Sequence, residues 1–281
     1  MRASEPVIIN EPANDQPPAK PLTIAQEIEA LTDPSFMTSL ARGLAVVRAF
    51  SDQRRTLTIA QISNKTGIPR AAVRRCLYTL KQLDYADSEA NNFFLKPKIL
   101  SLGYSYLSST PLAISAQPIL NQVSRTLNES CSLAVFDSDE VLYVARSATS
   151  RIMSVALNTG SRLPAYCTSL GRVILANLNP GELDDYLKRV KLRAFTDRTI
   201  VSVKRLREIL QQVKTSNYAI VEEELEVGLR AIAVPVRGAS GTVVAALNVG
   251  AQATRVSSRQ LEQDFLPILQ LGAQELSVLL P

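Results

Sequence analysis

The stretch LTIAQISNKTGIPRAAVRRCLYTLKQL, residues 57–83, determines how the N-terminal part of this chain folds. The hydroxyl of Thr58 can accept a free N–H group at the start of a helix, and Gln61 three residues later completes a capping box. Gly67 is a typical left-handed helix stop, and Pro69 suits the first position of the next helix. The stretch therefore predicts a short helix, a glycine turn and a second helix that ends near Leu83.

Apolar spacing on both sides extends this unit. Leu40, Leu44 and Val47 recur at helical spacing in a preceding helix that runs from Phe36 to about Ser51. Residues 85–87 and 93–95 flank a polar turn and predict a β-hairpin. We therefore predict a winged helix-turn-helix domain over residues 36–97.

One face of the third helix is basic. It lies opposite the apolar stripe of Val73, Leu77 and Leu80, and it carries arginines together with small alanines. Arginine hydrogen-bonds base edges and phosphates, and alanine allows close approach, which suits a helix in the major groove of DNA. A solvated basic face on any small helical domain is the alternative, which the capped helix, the turn and the hairpin disfavour. The predicted DNA-binding residues are Thr58, Arg70, Ala71, Ala72, Arg74, Arg75 and Tyr78, and the predicted partner is a double-stranded DNA operator.

The distribution of charge supports this interpretation. Residues 38–98 hold 11 basic and 4 acidic side chains, whereas residues 99–281 hold 18 and 16, and residues 1–37 hold 2 and 6. A positive excess confined to one short segment is expected of a phosphate-binding module joined to a near-neutral domain.

The length of 281 residues fits about two domains. Residues 1–35 are rich in proline, and we expect a disordered tail with room for a short helix over residues 23–31. Residues 98–110 predict a linker helix that ends before Pro111. Residues 111–281 predict an α+β domain, in which helices near 112–128, 168–175, 181–188, 203–214 and 258–279 flank a mainly antiparallel sheet. The predicted strands are 132–136, 141–145, 152–156, 219–221, 232–236 and 243–249.

Composition argues against an enzyme. The chain has no histidine, and its three cysteines are far apart and odd in number, which removes the commonest general base, the commonest zinc ligand and a CxxC motif. We find no GxSxG motif and no glycine-rich phosphate loop, so we expect no catalytic residue, no cofactor and no metal. No apolar run reaches the ~18 residues of a membrane span, so we expect a cytoplasmic protein without a membrane partner. An enzyme domain with a nucleic-acid-binding appendage is the disfavoured alternative.

Taken together, these motifs resemble the IclR family of bacterial transcriptional regulators over residues 36–281. The resemblance rests on LTIAQI (57–62), TGIPR (66–70), LKQL (80–83), TSLGRVILA (168–176), EEE (222–224) and GLRAIAVPV (228–236), in this order and at these spacings. FMTSLARGLAV (36–46) and SRLPAY (161–166) are similar to the β-ketoadipate-pathway branch, the PcaU, PcaR and PobR type.

The resemblance implies a regulator of aromatic-acid catabolism, most often an effector-dependent activator. It implies a small aromatic or dicarboxylic acid as effector, with protocatechuate favoured. It further implies a homodimer, with a tetramer left open, and RNA polymerase as a partner of an activator. A repressor that responds to a different small carboxylate is the alternative. The chain departs from the family pattern at Asn217, Asn248 and Gly250, and the last two bear on the ligand wall.

The same resemblance places the effector pocket beside the helix that starts at Thr168. Physical reasoning supports this placement, since the free N–H groups of a helix N-terminus attract a carboxylate. Arg151 and Arg162 are candidate counter-charges, with surface ion pairing as the alternative for each. The predicted effector-binding residues are Arg151, Arg162, Tyr166, Thr168, Ser169, Leu170, Gly171, Glu222, Ala231 and Asn248. A Mg²⁺ or Ca²⁺ site at the three adjacent glutamates is disfavoured, because carboxylates in surface or structural roles are more common.

Overall fold

A computed structural model describes residues 23–50, 55–149 and 157–280 of this chain. The chain divides into two units, and the division falls after Gly103. The first unit contains α1 (Ile24–Glu29), α2 (Thr38–Ala49), α3 (Ile59–Thr66), α4 (Arg70–Gln82) and a hairpin of β1 (Ala86–Glu89) and β2 (Asn92–Leu95).

The predicted helix-turn-helix geometry is present at α3 and α4. The Thr58 hydroxyl accepts a hydrogen bond from the Gln61 N–H, and the Gln61 side chain accepts one from the Thr58 N–H at 2.9 Å. Gly67 has φ +76° and ends α3 in the left-handed region. Val46, Ile62 and Leu77 are fully buried in the core that joins α2, α3 and α4.

One detail of this unit differs from the sequence prediction. Leu40 and Leu44 form a regular stripe on α2, yet they are 58% and 53% exposed, because α2 packs through the smaller Ala45, Val46 and Ala49. The short helix for which the sequence left room at residues 23–31 is present as α1. Thr23 caps α1, and the buried Ala25 and Ile28 join the core. Residues 1–22 lie outside the described part of the chain.

The second unit begins within a helix that few neighbours cover. A 3-10 turn at Pro97–Ile99 leads into α5 (Leu100–Ser109), none of whose residues is buried. Next come α6 (Pro111–Leu127) and the antiparallel strands β3 (Ser130–Asp137) and β4 (Glu140–Ser147). The chain continues with β5 (Arg162–Pro164), α7 (Ser169–Asn177), α8 (Pro180–Arg189), α9 (Val203–Ser216), β6 (Ala219–Glu222), β7 (Leu229–Arg237) and β8 (Val243–Gln252). It closes with α10 (Ser258–Gln260), a π-helical turn at Leu261–Phe265 and α11 (Leu266–Val278).

The mainly antiparallel sheet that the sequence predicted is confirmed. The six strands stand in the order β5-β4-β3-β8-β7-β6, and all neighbours are antiparallel. Helices α6 and α11 cover one face, on which Leu133, Ile232 and Leu247 pack. Helix α7 covers the other face, on which Ala134, Ala233 and Ala246 pack. The strand predicted near 152–156 lies outside the described residues, and the short strand β5 escaped prediction.

Candidate functional site

The exposed face of α4 presents a cluster of basic side chains. Arg70, Arg74, Arg75 and Tyr78 are exposed, while Val73 and Leu77 on the opposite face are fully buried. Within the described part of the chain, none of these three arginines forms an ion pair. Tyr78 is 65% exposed although it is aromatic. This face therefore offers three unpaired cations and a stacking side chain to a partner.

Backbone hydrogen bonds join the hairpin that follows α4 to the residue before the α3 cap. The backbone of Leu57 exchanges two hydrogen bonds with Phe93 of β2, at 2.9 and 2.8 Å. Ala90 and Asn91 at the hairpin turn both have positive φ, at 47° and 89°, as a tight two-residue turn requires. The hairpin is thus positioned as the wing of a winged helix.

A cavity lies in the second unit between the N-terminal end of α7 and the sheet. The empty space that it bounds is about 640 Å³ when the open solvent at its mouth is included. Its floor consists of small residues on three central strands, which leave space above the sheet. They are Ser130, Ser132, Ala231, Asn248 and Gly250. Its walls are mostly apolar, and they include Tyr143, Leu157, Leu163, Val221, Leu225 and Leu229.

The start of α7 brings polar groups to this cavity. The Thr168 hydroxyl accepts a hydrogen bond from the Gly171 N–H at 3.1 Å, so this N–H is already occupied. Among the described residues, the N–H groups of Ser169 and Leu170 find no acceptor. The hydroxyl oxygen of Ser169 is buried and also lacks a partner. Three donors therefore remain for a ligand or water at this end.

Arg146 on β4 brings a positive charge to the cavity wall. One guanidinium nitrogen, Nη1, donates to the Ser132 hydroxyl at 3.2 Å. Nε is buried without a hydrogen-bond partner, and no carboxylate among the described residues pairs with this side chain. Desolvation lowers the pKa of Arg146, and the nearby Tyr143 and Cys131 oppose this only in part. No described residue therefore neutralises the charge of Arg146.

Glu224 lies on another wall of the cavity, but it is already paired. Its Oε2 accepts from Arg172 Nη2 at 2.6 Å and from the Ile200 N–H at 3.1 Å. Both side chains of the ion pair are buried, at 3% and 8% exposure. Cys167 lies nearby, and burial raises the pKa of its thiol to about 12. This wall is therefore held in place by a neutralised pair and an uncharged thiol.

Comparison with known proteins accounts for both units. The family model for the IclR helix-turn-helix domain matches residues 39–90, and the model described as "Bacterial transcriptional regulator IclR C-terminal" matches residues 104–278. The chain belongs to the IclR family.

Three relatives place this IclR-family chain more closely. The "Pca regulon regulatory protein" of Pseudomonas putida is 50% identical over 97% of this chain and 98% of its own length. The "p-hydroxybenzoate hydroxylase transcriptional activator" of Acinetobacter baylyi is 38% identical over 88% of this chain and 93% of its own length. The solved inducer-binding domain of a PobR double mutant from Acinetobacter, in complex with 3-hydroxybenzoic acid, is 36% identical with a TM-score of 0.55. The match covers 58% of this chain and 95% of that domain.

As a member of the IclR family, the chain is a transcriptional regulator with a DNA-binding N-terminal domain and a ligand-responsive C-terminal domain. Its resemblance to regulators of the Pca and PobR type is confirmed. No helix in the described residues is long and apolar enough to span a membrane.

Four of the predicted effector-binding residues line the cavity of this IclR protein: Thr168, Ser169, Ala231 and Asn248. Leu170 and Gly171 are buried beneath it, and Gly171 fits there because a Cβ atom would lie 2.1 Å from the Ala165 carbonyl oxygen. Arg151 lies outside the described residues.

Three other predicted residues are not in the lining. Arg162 pairs with Asp137 and Glu140 at 2.7 Å each, since its neighbour Leu163 takes the position that faces the cavity. The Tyr166 hydroxyl bonds the backbone of Arg193 instead of a ligand. Glu222 pairs with Arg230 and accepts from the Ser258 hydroxyl.

Two of the predicted DNA-binding residues are less exposed than the others. Ala72 is half-buried and packs against the core, because it lies between the exposed face and the Val73 stripe. Thr58 is half-buried, and its side chain is engaged in capping α3.

Sequence reasoning missed Arg146, and the cause is a β-bulge. Leu133 of β3 pairs with Ala145, whereas the next residue, Ala134, pairs with Tyr143. Val144 is thus an extra residue, so Tyr143 and Arg146 face the same side although they are three positions apart. Strict alternation would have placed Arg146 on the opposite face from Tyr143. The available signal was a lone arginine directly after the apolar run at residues 141–145.

Proposed function

We propose that this protein regulates the catabolism of aromatic acids as an effector-dependent activator. The observation that carries the proposal is an apolar cavity with an unneutralised arginine on its wall and unpaired donors at the start of α7. Such a cavity favours a flat apolar molecule with an anionic group. The effector is a small aromatic or dicarboxylic acid, with protocatechuate as the first candidate. The names of the relatives, which mention p-hydroxybenzoate and an inducer-binding domain with 3-hydroxybenzoic acid, support this class.

On the DNA side, α4 enters the major groove of the operator. Arg70, Arg74 and Arg75 contact base edges and phosphates, Tyr78 offers an exposed aromatic ring, and Ala71 allows close approach. Their exposure, and the lack of an acidic partner for the three arginines among the described residues, support this assignment. Thr58 contributes by positioning the start of α3. In a helix-turn-helix motif this first helix crosses the DNA backbone.

The protein acts as a homodimer that presents two recognition helices to two half-sites. The exposed apolar stripe of Met37, Leu40 and Leu44 on α2 supports self-association, since isolated domains rarely leave such side chains in water together. Effector binding shifts the balance between arrangements of the dimer, and RNA polymerase is the partner of the active form. Pairing of dimers into a tetramer stays an open alternative.

Transcription in vitro tests the direction of regulation. Duplexes that the full chain selects from randomised DNA are placed upstream of a promoter, and transcript is measured with and without protocatechuate. The proposal predicts more transcript with the acid. If the ligand-free protein lowers the amount of transcript and an acid restores it, the protein is a repressor. Protocatechuate consumed during incubation with the protein alone would favour the enzyme alternative.

A further inference from the structure

We infer that Arg146 anchors the carboxylate of the effector, and that the start of α7 receives the other polar group of the ligand. The inference rests on the proposed function and deepens it, because it names the residue that selects for an acid. It reverses the expectation that the N-terminus of the helix would hold the carboxylate.

The partners of the arginines near the cavity single out Arg146. Arg172 is neutralised by Glu224, and Arg230 by Glu222. Arg162, on the neighbouring strand, is held by two carboxylates outside the cavity. Among the described residues that line the cavity, Arg146 is the cation that has no anion beside it. A desolvated charge without a partner is costly, so a bound anion gains more there than at a paired arginine.

The free edge of the guanidinium has the right shape for a carboxylate. Nη1 is occupied by the Ser132 hydroxyl, which fixes the plane of the group. Nε is buried and has no hydrogen-bond partner, and no described residue forms a hydrogen bond with Nη2. Nε and Nη2 together form the side-on edge that binds both oxygens of a carboxylate. Ser132 therefore leaves the side-on edge of Arg146 without a hydrogen-bond partner among the described residues.

The start of α7 offers neutral donors instead of a full charge. Ser169 is only 1% exposed, and its hydroxyl has no partner. A hydroxyl can both donate and accept, so it suits the phenolic hydroxyl of a hydroxylated aromatic acid. Tyr143, Leu163 and Leu229 line the same cavity. They provide a largely apolar surface against which the ring of the ligand would pack.

Binding of an acid and of its neutral amide tests this assignment. Protocatechuate and 3,4-dihydroxybenzamide differ at the carboxyl group alone, and calorimetry on the full chain measures both affinities. We expect the wild-type protein to prefer the acid. Arg146→Gln should weaken binding of the acid about 30-fold or more while it leaves the amide nearly unchanged, since it removes one partner of a desolvated charge pair. Arg146→Lys should keep part of the preference, and Ser169→Ala should weaken both ligands and keep the ratio.

Comparison of two ligands on one variant cancels effects on folding, which the melting temperature checks independently. Arg162→Gln is the matched control and should leave the ratio unchanged. A folded Arg146→Gln protein that still prefers the acid as strongly as wild type would overturn the inference and spare the proposed function. Failure of wild type to bind protocatechuate, p-hydroxybenzoate, β-ketoadipate or cis,cis-muconate would overturn the proposed effector class, and the inference with it.

Discussion

At the scale of single residues, burial separates the three cysteine thiols. Cys76 is half-buried, while Cys131 and Cys167 are buried. Burial raises the pKa of Cys167 to about 12, because the thiolate is disfavoured away from water. Burial also raises the pKa of Cys76, but Arg42 and Arg75 oppose the shift. Because the thiolate is the reactive form, the cysteines should differ in reactivity.

We therefore expect one thiol to react quickly with Ellman's reagent at pH 8 in the native protein, and three in denaturant. At that pH the Cys167 thiol stays protonated, since burial raises its pKa to about 12. Cys76→Ser should remove the fast phase. Three thiols of equal reactivity in the native protein would contradict the burial described here.

The buried pair of Arg172 and Glu224 is the second feature at this scale. Glu224→Gln should lower the free energy of unfolding by about 3–5 kcal/mol, because it leaves a buried arginine without its partner. Urea denaturation measures the change. Arg189, which pairs with Asp139 at the surface, gives the matched control, and Arg189→Gln should cost at most about 1 kcal/mol. Equal costs for both variants would show that the Arg172 pair is not buried as described.

At the scale of elements, the recognition helix carries the DNA-binding prediction. Arg74→Ala combined with Arg75→Ala should abolish retardation of a selected duplex without unfolding the chain. For each phosphate that the protein no longer binds, the slope of log affinity against log salt should fall by about one. Arg205→Ala on α9, an exposed arginine of the second unit, is the control and should bind DNA normally. Normal binding by the double variant would refute the assignment of α4.

The close approach of α7 to the preceding turn gives a second prediction for an element. Gly171→Ala should destabilise the second unit strongly, since its Cβ atom would lie 2.1 Å from a backbone oxygen that cannot move alone. Gly103→Ala in α5 meets nothing within 4 Å and should be neutral or stabilising by up to about 1 kcal/mol. Thermal denaturation of both variants measures the contrast, and a neutral Gly171→Ala would contradict the packing.

Most elements were predictable because their ends carry strong local signals. Thr58, Gly67 and Thr168 mark helix termini by capping chemistry, which acts within a few residues. Apolar patterns predicted both hairpin strands and five of the six strands of the larger sheet. They could not predict β5, which is three residues long, or the bulge at Val144. The bulge arises from the way β4 pairs with β3, and the residues of β4 alone do not reveal this pairing. The sequence therefore did not show which face of the sheet Arg146 occupies.

At the scale of the whole molecule, the basic charge and the cavity belong to different units. The basic excess lies in residues 38–98, and the cavity lies in the domain that follows. The family and the two-part organisation followed from sequence because motifs in both parts occur in a fixed order. The sequence did not predict which arginines have carboxylate partners, because Arg162 and Arg146 differ only in the carboxylates that the fold brings near them. Sequence thus predicted the region of the site better than its charged residues.

Whether an organic acid is the signal can be decided from the melting temperature of the full chain in the presence of candidate acids. A ligand that binds only the native state stabilises it by about 2.7 kcal/mol at a hundredfold excess over its Kd. We predict that protocatechuate raises the melting temperature by several degrees, more than 3,4-dihydroxybenzamide at the same concentration. An unchanged melting temperature with protocatechuate, p-hydroxybenzoate, β-ketoadipate and cis,cis-muconate would contradict an organic acid as the signal.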